Sequence, residues 1–191
     1  DLGLDFSRSK ETEGLDMLAG LLEEHVDWEL LLSTIGLPLP AAAVEEKSVL
    51  SEPGKLHISV ARNEESFSFL YAEHLDILRC MGTVTFFNPE QDRAIPQETD
   101  LLYLPGGYPE LYAGQLSVNR SMLASVRRAV ERGLPTVAEC GGFLYLGQSL
   151  EDANGERWPM AGVLPGQGFR VGRLVRFGYA KLTARTDSML F

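Results

Sequence analysis

Cysteine and histidine are scarce in this 191-residue chain: Cys80 and Cys140 are the only thiols, and His25, His57 and His74 the only imidazoles. Two cysteines do not make the disulfide framework of a small secreted domain, and they fit a reducing compartment. No apolar run approaches the roughly 18–20 residues needed to span a bilayer. The opening DLGLDFSRSKETEG is polar and acidic, unlike a signal peptide. Both absences point to the cytoplasm and away from a membrane. Basic side chains are outnumbered 17 to 27, a formal charge of −10. Such a surface repels phosphate backbones and argues against a nucleic-acid partner, while leaving room for a small anion in a local cationic pocket. A phosphate loop, G-x-x-x-x-G-K-[ST], is also missing. Pro53-Gly54-Lys55-Leu56 lacks the upstream glycine and the final hydroxyl, and Gly166-Gln167-Gly168 is no dinucleotide fingerprint.

What is present reads as a soluble globular chain, 45 % apolar and 23 % charged, able to bury one good core with a small appendage. Leu15, Leu18, Leu21 and Leu22 recur at helical spacing, followed by Val26, Trp28, Leu30 and Leu31. The stretch GLPLPAAAVEEKSVLSEPGK then marks a linker. Beyond it, strands and helices alternate. Leu56–Ala61 reads as a strand, Phe69–Met81 as a helix ended by Gly82, and Val84, Phe86 and Phe87 as a strand. Leu101–Leu104 is a further strand, Asn119–Arg132 a helix capped by Gly133, Pro135–Glu139 a strand, and Gly141 onward a helix. The late run RLVRFGYAKLT reads as one or two antiparallel strands broken at Gly178. The expected architecture is α/β: a mostly parallel sheet with helices on both faces, preceded by a short helical segment.

The densest chemical signal is Thr136-Val137-Ala138-Glu139-Cys140-Gly141-Gly142-Phe143-Leu144. A buried strand runs straight into a cysteine, two glycines and an apolar helix. A nucleophile on such an elbow sits in a strained backbone conformation and needs small neighbours, which Ala138 and Gly142 supply. The first turn of the helix offers free N–H groups that favour an anionic sulfur and an oxyanion. The competing reading is a small buried core cysteine. A second turn, Leu104-Pro105-Gly106-Gly107-Tyr108-Pro109-Glu110, ends another strand, at the edge where open α/β sheets place their sites. Its double glycine lets one backbone N–H face a ligand, with the Gly141 amide as the other half of an oxyanion hole; the competing reading is an ordinary Pro-Gly turn.

The paired motifs LPGGYPELYAGQL and VAECGGFLYLG resemble class I glutamine amidotransferase domains of the flavodoxin-like kind, and most closely the cobyrinic acid a,c-diamide synthase branch. The resemblance runs from about Leu56 to the C-terminus and takes in VARNEESFSFLY, FFNP and FGYAKLTARTDSML; cobyric acid synthases are less similar at the turn and elbow. It implies that Cys140 attacks the side-chain amide of glutamine, with Gly106, Gly107 and Gly141 forming the oxyanion turn and Tyr108 and Glu110 shaping the pocket. Released ammonia passes to an ATP-using domain, with ATP and Mg²⁺ implied for the intact enzyme and no cofactor here. That domain amidates the a and c acetates of a corrinoid; hydrogenobyrinic acid and nickel-sirohydrochlorin are alternative acceptors. In the family the base is a histidine downstream of the stretch matching LTARTDSML, so the chain is expected to be an inactive C-terminal piece: residues 1–50 a junction with the ATPase domain, 51–191 the amidotransferase domain. None of the three histidines is assigned a role. A catalytically silent docking domain and a cysteine hydrolase are the competing functions, and a homodimer is left open. Glu139 orients a ligand or partner, or only solvates a strand end. Arg170, Arg173, Arg176 and Arg185 hold corrinoid carboxylates or an acidic partner edge, or are ordinary exposed positions. Cys80 reads as a core thiol.

Overall fold

The computed structural model describes residues 12–35 and 54–171, with 181 and 183. Nearly all of RLVRFGYAKLT, most of the proline-bearing linker, and Arg173, Arg176 and Arg185 lie outside those residues. The chain forms two units, Asp1–Ser48 and Val49–Phe191. In the first, α1 (Thr12–His25) and α2 (Trp28–Ile35) are separate helices. The Asp27 carboxylate accepts the Leu30 N–H at 3.0 Å and so starts α2 afresh. The leucines whose spacing builds these helices are largely exposed, from 39 % at Leu31 to 64 % at Leu32.

The second unit is built on four parallel strands: β1 (Leu56–Ala61), β2 (Gly82–Phe87), β3 (Leu101–Leu104) and β4 (Thr136–Ala138), in the spatial order β2-β1-β3-β4. The chain therefore begins in the middle, adds β2 on one side, then crosses to β3 and β4 on the other. Alternation along each strand sorts side chains between two faces. Ala61, Leu102 and Leu104 enter the main core, with Leu116, Met122, Leu123 and Val126 from α4 (Ala113–Val118) and α5 (Arg120–Glu131). Ile58, Val60 and Tyr103 face the other way, packed with Leu70, Leu78 and Met81 near or on α3 (Ala72–Met81). At about 1.5–3 kcal/mol per fully buried large aliphatic or aromatic side chain, the first face carries most of the stability. The expected α/β class, a mostly parallel sheet with helices on both faces, is the one observed.

Local endings follow the residue chemistry. The N–H of Gly133, at φ 88°, bonds the Val130 carbonyl at 2.9 Å, and that of Leu134 reaches back to Ala129 at 3.1 Å, a Schellman ending to α5. Three expectations need correcting. α3 begins at Ala72, not Phe69, because Phe69 is taken up in an antiparallel bridge with Gly106, its N–H bonded to the Gly106 carbonyl at 3.0 Å. Cys80 is exposed rather than a core thiol, since α3 has no buried residue. After the short α6 (Gly141–Tyr145) comes a small sheet that the sequence reading missed: β5 (Ser149–Glu151) pairs antiparallel with β6 (Arg157–Pro159) and parallel with β7 (Gln167–Gly168). Arg127 on α5 grips the chain after β6, donating from Nε to the Ala161 carbonyl at 2.7 Å and from Nη2 to that of Gly162 at 3.1 Å.

Candidate active site

β3 and β4 lie side by side, so whatever follows them meets at one edge of the sheet. Register pairs Leu104 with Ala138, which brings Pro105-Gly106-Gly107 and Glu139-Cys140-Gly141 alongside one another. Cys140 adopts φ 49° and ψ −115°, and among the described residues it is the one non-glycine with positive φ. Side-chain-bearing residues rarely enter this region, at a cost of order 1–3 kcal/mol. The conformation is enforced on both sides: the Glu139 N–H bonds the Leu104 carbonyl at 3.1 Å, and the Gly142 N–H bonds the Glu139 carbonyl at 2.9 Å. Gly142 is packed so closely on Leu104 that a Cβ would strike its carbonyl oxygen. The thiol side chain is exposed at the sheet edge.

The turn opposite is equally tight. A Cβ on Gly106 would lie 3.3 Å from the Cβ of Cys140, and one on Gly141 would lie 3.1 Å from the Gly107 nitrogen and 2.7 Å from Cδ of Pro109. A Cβ on Gly107 would collide with the Ser66 carbonyl. Among the described residues neither the Gly107 nor the Gly141 N–H has an acceptor. The thiol, two backbone donors unpaired among the described residues, and the glycines that allow their approach thus converge. A sulfur nucleophile flanked by two unspent N–H groups can attack a carbonyl carbon and hold the oxyanion that forms.

The surroundings add residues that sequence reasoning missed. Phe69 reaches within 3.3 Å of the Gly106 Cβ position, and its ring meets Tyr108 edge-on, centroids 4.9 Å apart. Pro109 is buried against Gly141, while Tyr108 and Glu110 are half-buried on the same turn. The segment behind the turn is held by Asn63. Its carboxamide oxygen accepts the Phe67 N–H at 2.8 Å, and its nitrogen donates to Ser66 Oγ at 2.9 Å and Glu90 Oε1 at 2.9 Å. Ser66 Oγ also donates to Glu90 Oε1 at 2.6 Å. Burial, reinforced by the neighbouring Glu90 carboxylate, raises the Glu65 carboxyl above its ordinary value.

On the α3 face, the Tyr103 hydroxyl donates to Glu139 Oε1, and His74 Nδ1 lies 3.1 Å from the same phenol oxygen. Burial, followed by the Glu139 carboxylate, pushes the phenol well above its ordinary value. His57 lies at the opposite end of β1, where its backbone N–H donates to Asp100 Oδ2 at 2.8 Å, and His25 closes α1 in the other unit. Arg170 donates to the Ala153 carbonyl at 3.1 Å, away from the elbow. No group of three His, Cys, Asp or Glu among the described residues could hold a metal ion, and no described helix is long and apolar enough to cross a membrane.

Residues 57–187 match the family described as CobB/CobQ-like glutamine amidotransferase domain. The cobyrinate a,c-diamide synthase of Caldanaerobacter subterraneus is 39 % identical over 186 residues, 95 % of this chain and 40 % of that protein. The enzyme of the same name from Salmonella typhimurium is 40 % identical over 174 residues, 90 % of this chain and 38 % of that one. The hydrogenobyrinate a,c-diamide synthase of Pseudomonas aeruginosa is 44 % identical over 154 residues, 80 % of this chain and 34 % of that one. The chain spans about two fifths of the length of the curated relatives it matches over most of its own.

Proposed function

Because this chain belongs to the CobB/CobQ-like glutamine amidotransferase domain family, we propose that Cys140 is the nucleophile that releases ammonia from glutamine. The observation that carries this is a thiol held at positive φ beside the Gly107 and Gly141 N–H groups, which have no acceptor among the described residues. The sulfur adds to the side-chain amide carbon, and the carbonyl oxygen becomes an oxyanion accepted by those two donors. The C–N bond then breaks: ammonia leaves with the proton taken from the thiol, and water hydrolyses the glutamyl thioester to glutamate and free thiol. Proton transfer requires a base. On this reading that base is a histidine, as the family resemblance implies, and none of His25, His57 and His74 is assigned the role. Tyr108 and Glu110 border the glutamine pocket.

In the intact protein the ammonia is used in ATP-dependent amidation of the a and c carboxylates of a corrinoid, cobyrinic acid, as part of cobalamin synthesis. Residues 1–50 form the junction with the ATP-using domain, and residues 51–191 the amidotransferase domain. ATP and Mg²⁺ do not fit the residues described here, which include neither a phosphate loop nor a three-member carboxylate or histidine group. Relatives named for cobyrinate and for hydrogenobyrinate match at similar identity, so metal-free hydrogenobyrinic acid is the second acceptor to assay.

The experiment is thiol mapping on the full-length protein. Both cysteines are exposed, so a simple alkylating agent modifies each. A chloroketone analogue of glutamine is expected to modify Cys140 alone, with glutamine protecting it. Equal labelling of Cys80, or labelling at Cys140 that glutamine does not slow, would sink the assignment.

A further inference from the structure

The bond between Tyr103 and Glu139 joins the two strands that carry the opposite halves of the site. Tyr103 is three residues before Gly106 and Glu139 is one before Cys140. With Tyr103 in register with Val137, Glu139 is its diagonal neighbour across the strand pair, within reach of a long side chain. We propose that Tyr103 and Glu139 are positioning residues for Cys140: their hydrogen bond clamps the ends of β3 and β4 and so fixes the spacing between the thiol and the double-glycine turn. The proposal rests on the glutaminase reading above.

Three observations support the clamp. Tyr103 is only 6 % exposed, so its hydroxyl needs a partner inside the protein, and Glu139 supplies it. The Glu139 side chain is 46 % exposed and could be solvated freely, yet it turns inward to the phenol. Its own backbone is bonded in both directions, to Leu104 and to Gly142, so a force on the side chain is delivered to the peptide that sets φ at Cys140. His74 completes the arrangement. The single phenol proton goes to the carboxylate, so the hydrogen-bond network assigns Nδ1–H of His74 as donor to the phenol oxygen. The ring of Tyr71 braces that imidazole edge-on, centroids 5.3 Å apart.

The test uses the full-length protein with the variants Tyr103→Phe, Glu139→Ala and Glu139→Gln, and C140S as the control. Tyr103→Phe and Glu139→Ala are expected to lower kcat for glutamine hydrolysis by ~10–100-fold with KM shifted by less than ~3-fold. Inactivation by the glutamine chloroketone, which uses the oxyanion donors, falls in parallel. Alkylation of Cys140 by iodoacetamide, which does not use them, stays near the wild-type rate. Glu139→Gln keeps an oxygen that accepts from the phenol and recovers most of the activity. Wild-type kcat in Tyr103→Phe, or Glu139→Gln as impaired as Glu139→Ala, overturns the clamp, as does a kcat loss matched by an equal loss of iodoacetamide reactivity. Should Tyr103→Phe fail to fold, the Glu139 pair decides by the same criteria. C140S retaining glutamine hydrolysis overturns the glutaminase reading and the clamp with it, whereas an inactive C140S beside an unaffected Tyr103→Phe overturns the clamp alone.

Discussion

Single side chains decide whether the elbow exists. Gly142 touches the Leu104 carbonyl so closely that no Cβ fits, and the obstacle is backbone. Gly142→Ala is expected to cost about 1–3 kcal/mol in urea unfolding, the range for forcing an extra methyl into a packed site. Tyr145 makes the opposite case. It is fully buried, its ring edge-on to Phe67, and its hydroxyl has no hydrogen-bond partner among the described residues. A buried orphan hydroxyl is a liability, so Tyr145→Phe should raise stability by about 1 kcal/mol, read as a higher urea midpoint at unchanged slope. The tight elbow of Cys140 and its glycines was legible in the sequence because a strained residue packed against backbone restricts its neighbours to small types. The Tyr103, Glu139 and His74 arrangement was not, since its members come from a strand, a strand end and a helix with no common spacing. Cys80 was misread because apolar neighbours on a helix do not reveal which side of it packs, and Cys80 lies on the exposed side of a helix with no fully buried residue.

At the level of elements, segments marked by apolar runs or by the cysteine elbow were readable, and the short strands after α6 were not. β1, with six residues, and β3, with four, have the predicted bounds because each is an apolar run closed by turn residues, and α5 stops one residue short of the expected Arg132 but at the predicted Gly133 cap. β5, β6 and β7 have two or three residues each, too few to show alternation. Their hairpin is held by polar chemistry: Asp152 accepts from the Trp158 indole at 2.9 Å, the Asn154 N–H at 2.8 Å and the Glu156 N–H at 2.9 Å. These bonds, the indole first, lower the Asp152 carboxyl below its ordinary value of 3.8. A lowered folded-state value means full support above 3.8, lost as pH falls through the lower folded value. Trp158 fluorescence should therefore hold from neutral pH down to about that point and change only below it, and Asp152→Ala should show the altered signal at all pH values. α5 offers a second check. Asn119 accepts the Met122 N–H at 3.3 Å and donates to the carbonyls of Pro89 at 2.9 Å and Asp92 at 2.7 Å. Asn119→Ala should cost about 1 kcal/mol or more in thermal unfolding.

Across the molecule, the well-packed residues belong to the second unit, while α1 and α2 display Leu15, Met17, Leu18, Trp28, Leu30, Leu32 and Ile35 to solvent. Replacing Leu18 and Leu32 by Gln should cut binding of a hydrophobic dye, read as a fall in its fluorescence. Sheet order has a further consequence. The thiol is set by β4, whereas the turn facing it leans on the segment running from Asn63 to Phe69, which Asn63 moors to Glu90 just past β2 at the far side of the sheet. The thiol and the double-glycine turn thus both border β3 but lean on different further supports, β4 for the one and the segment from Asn63 to Phe69 for the other. On the glutaminase reading proposed above, a nudge near Glu90 would reach the turn before it reached the thiol, a way to throttle turnover from a distance.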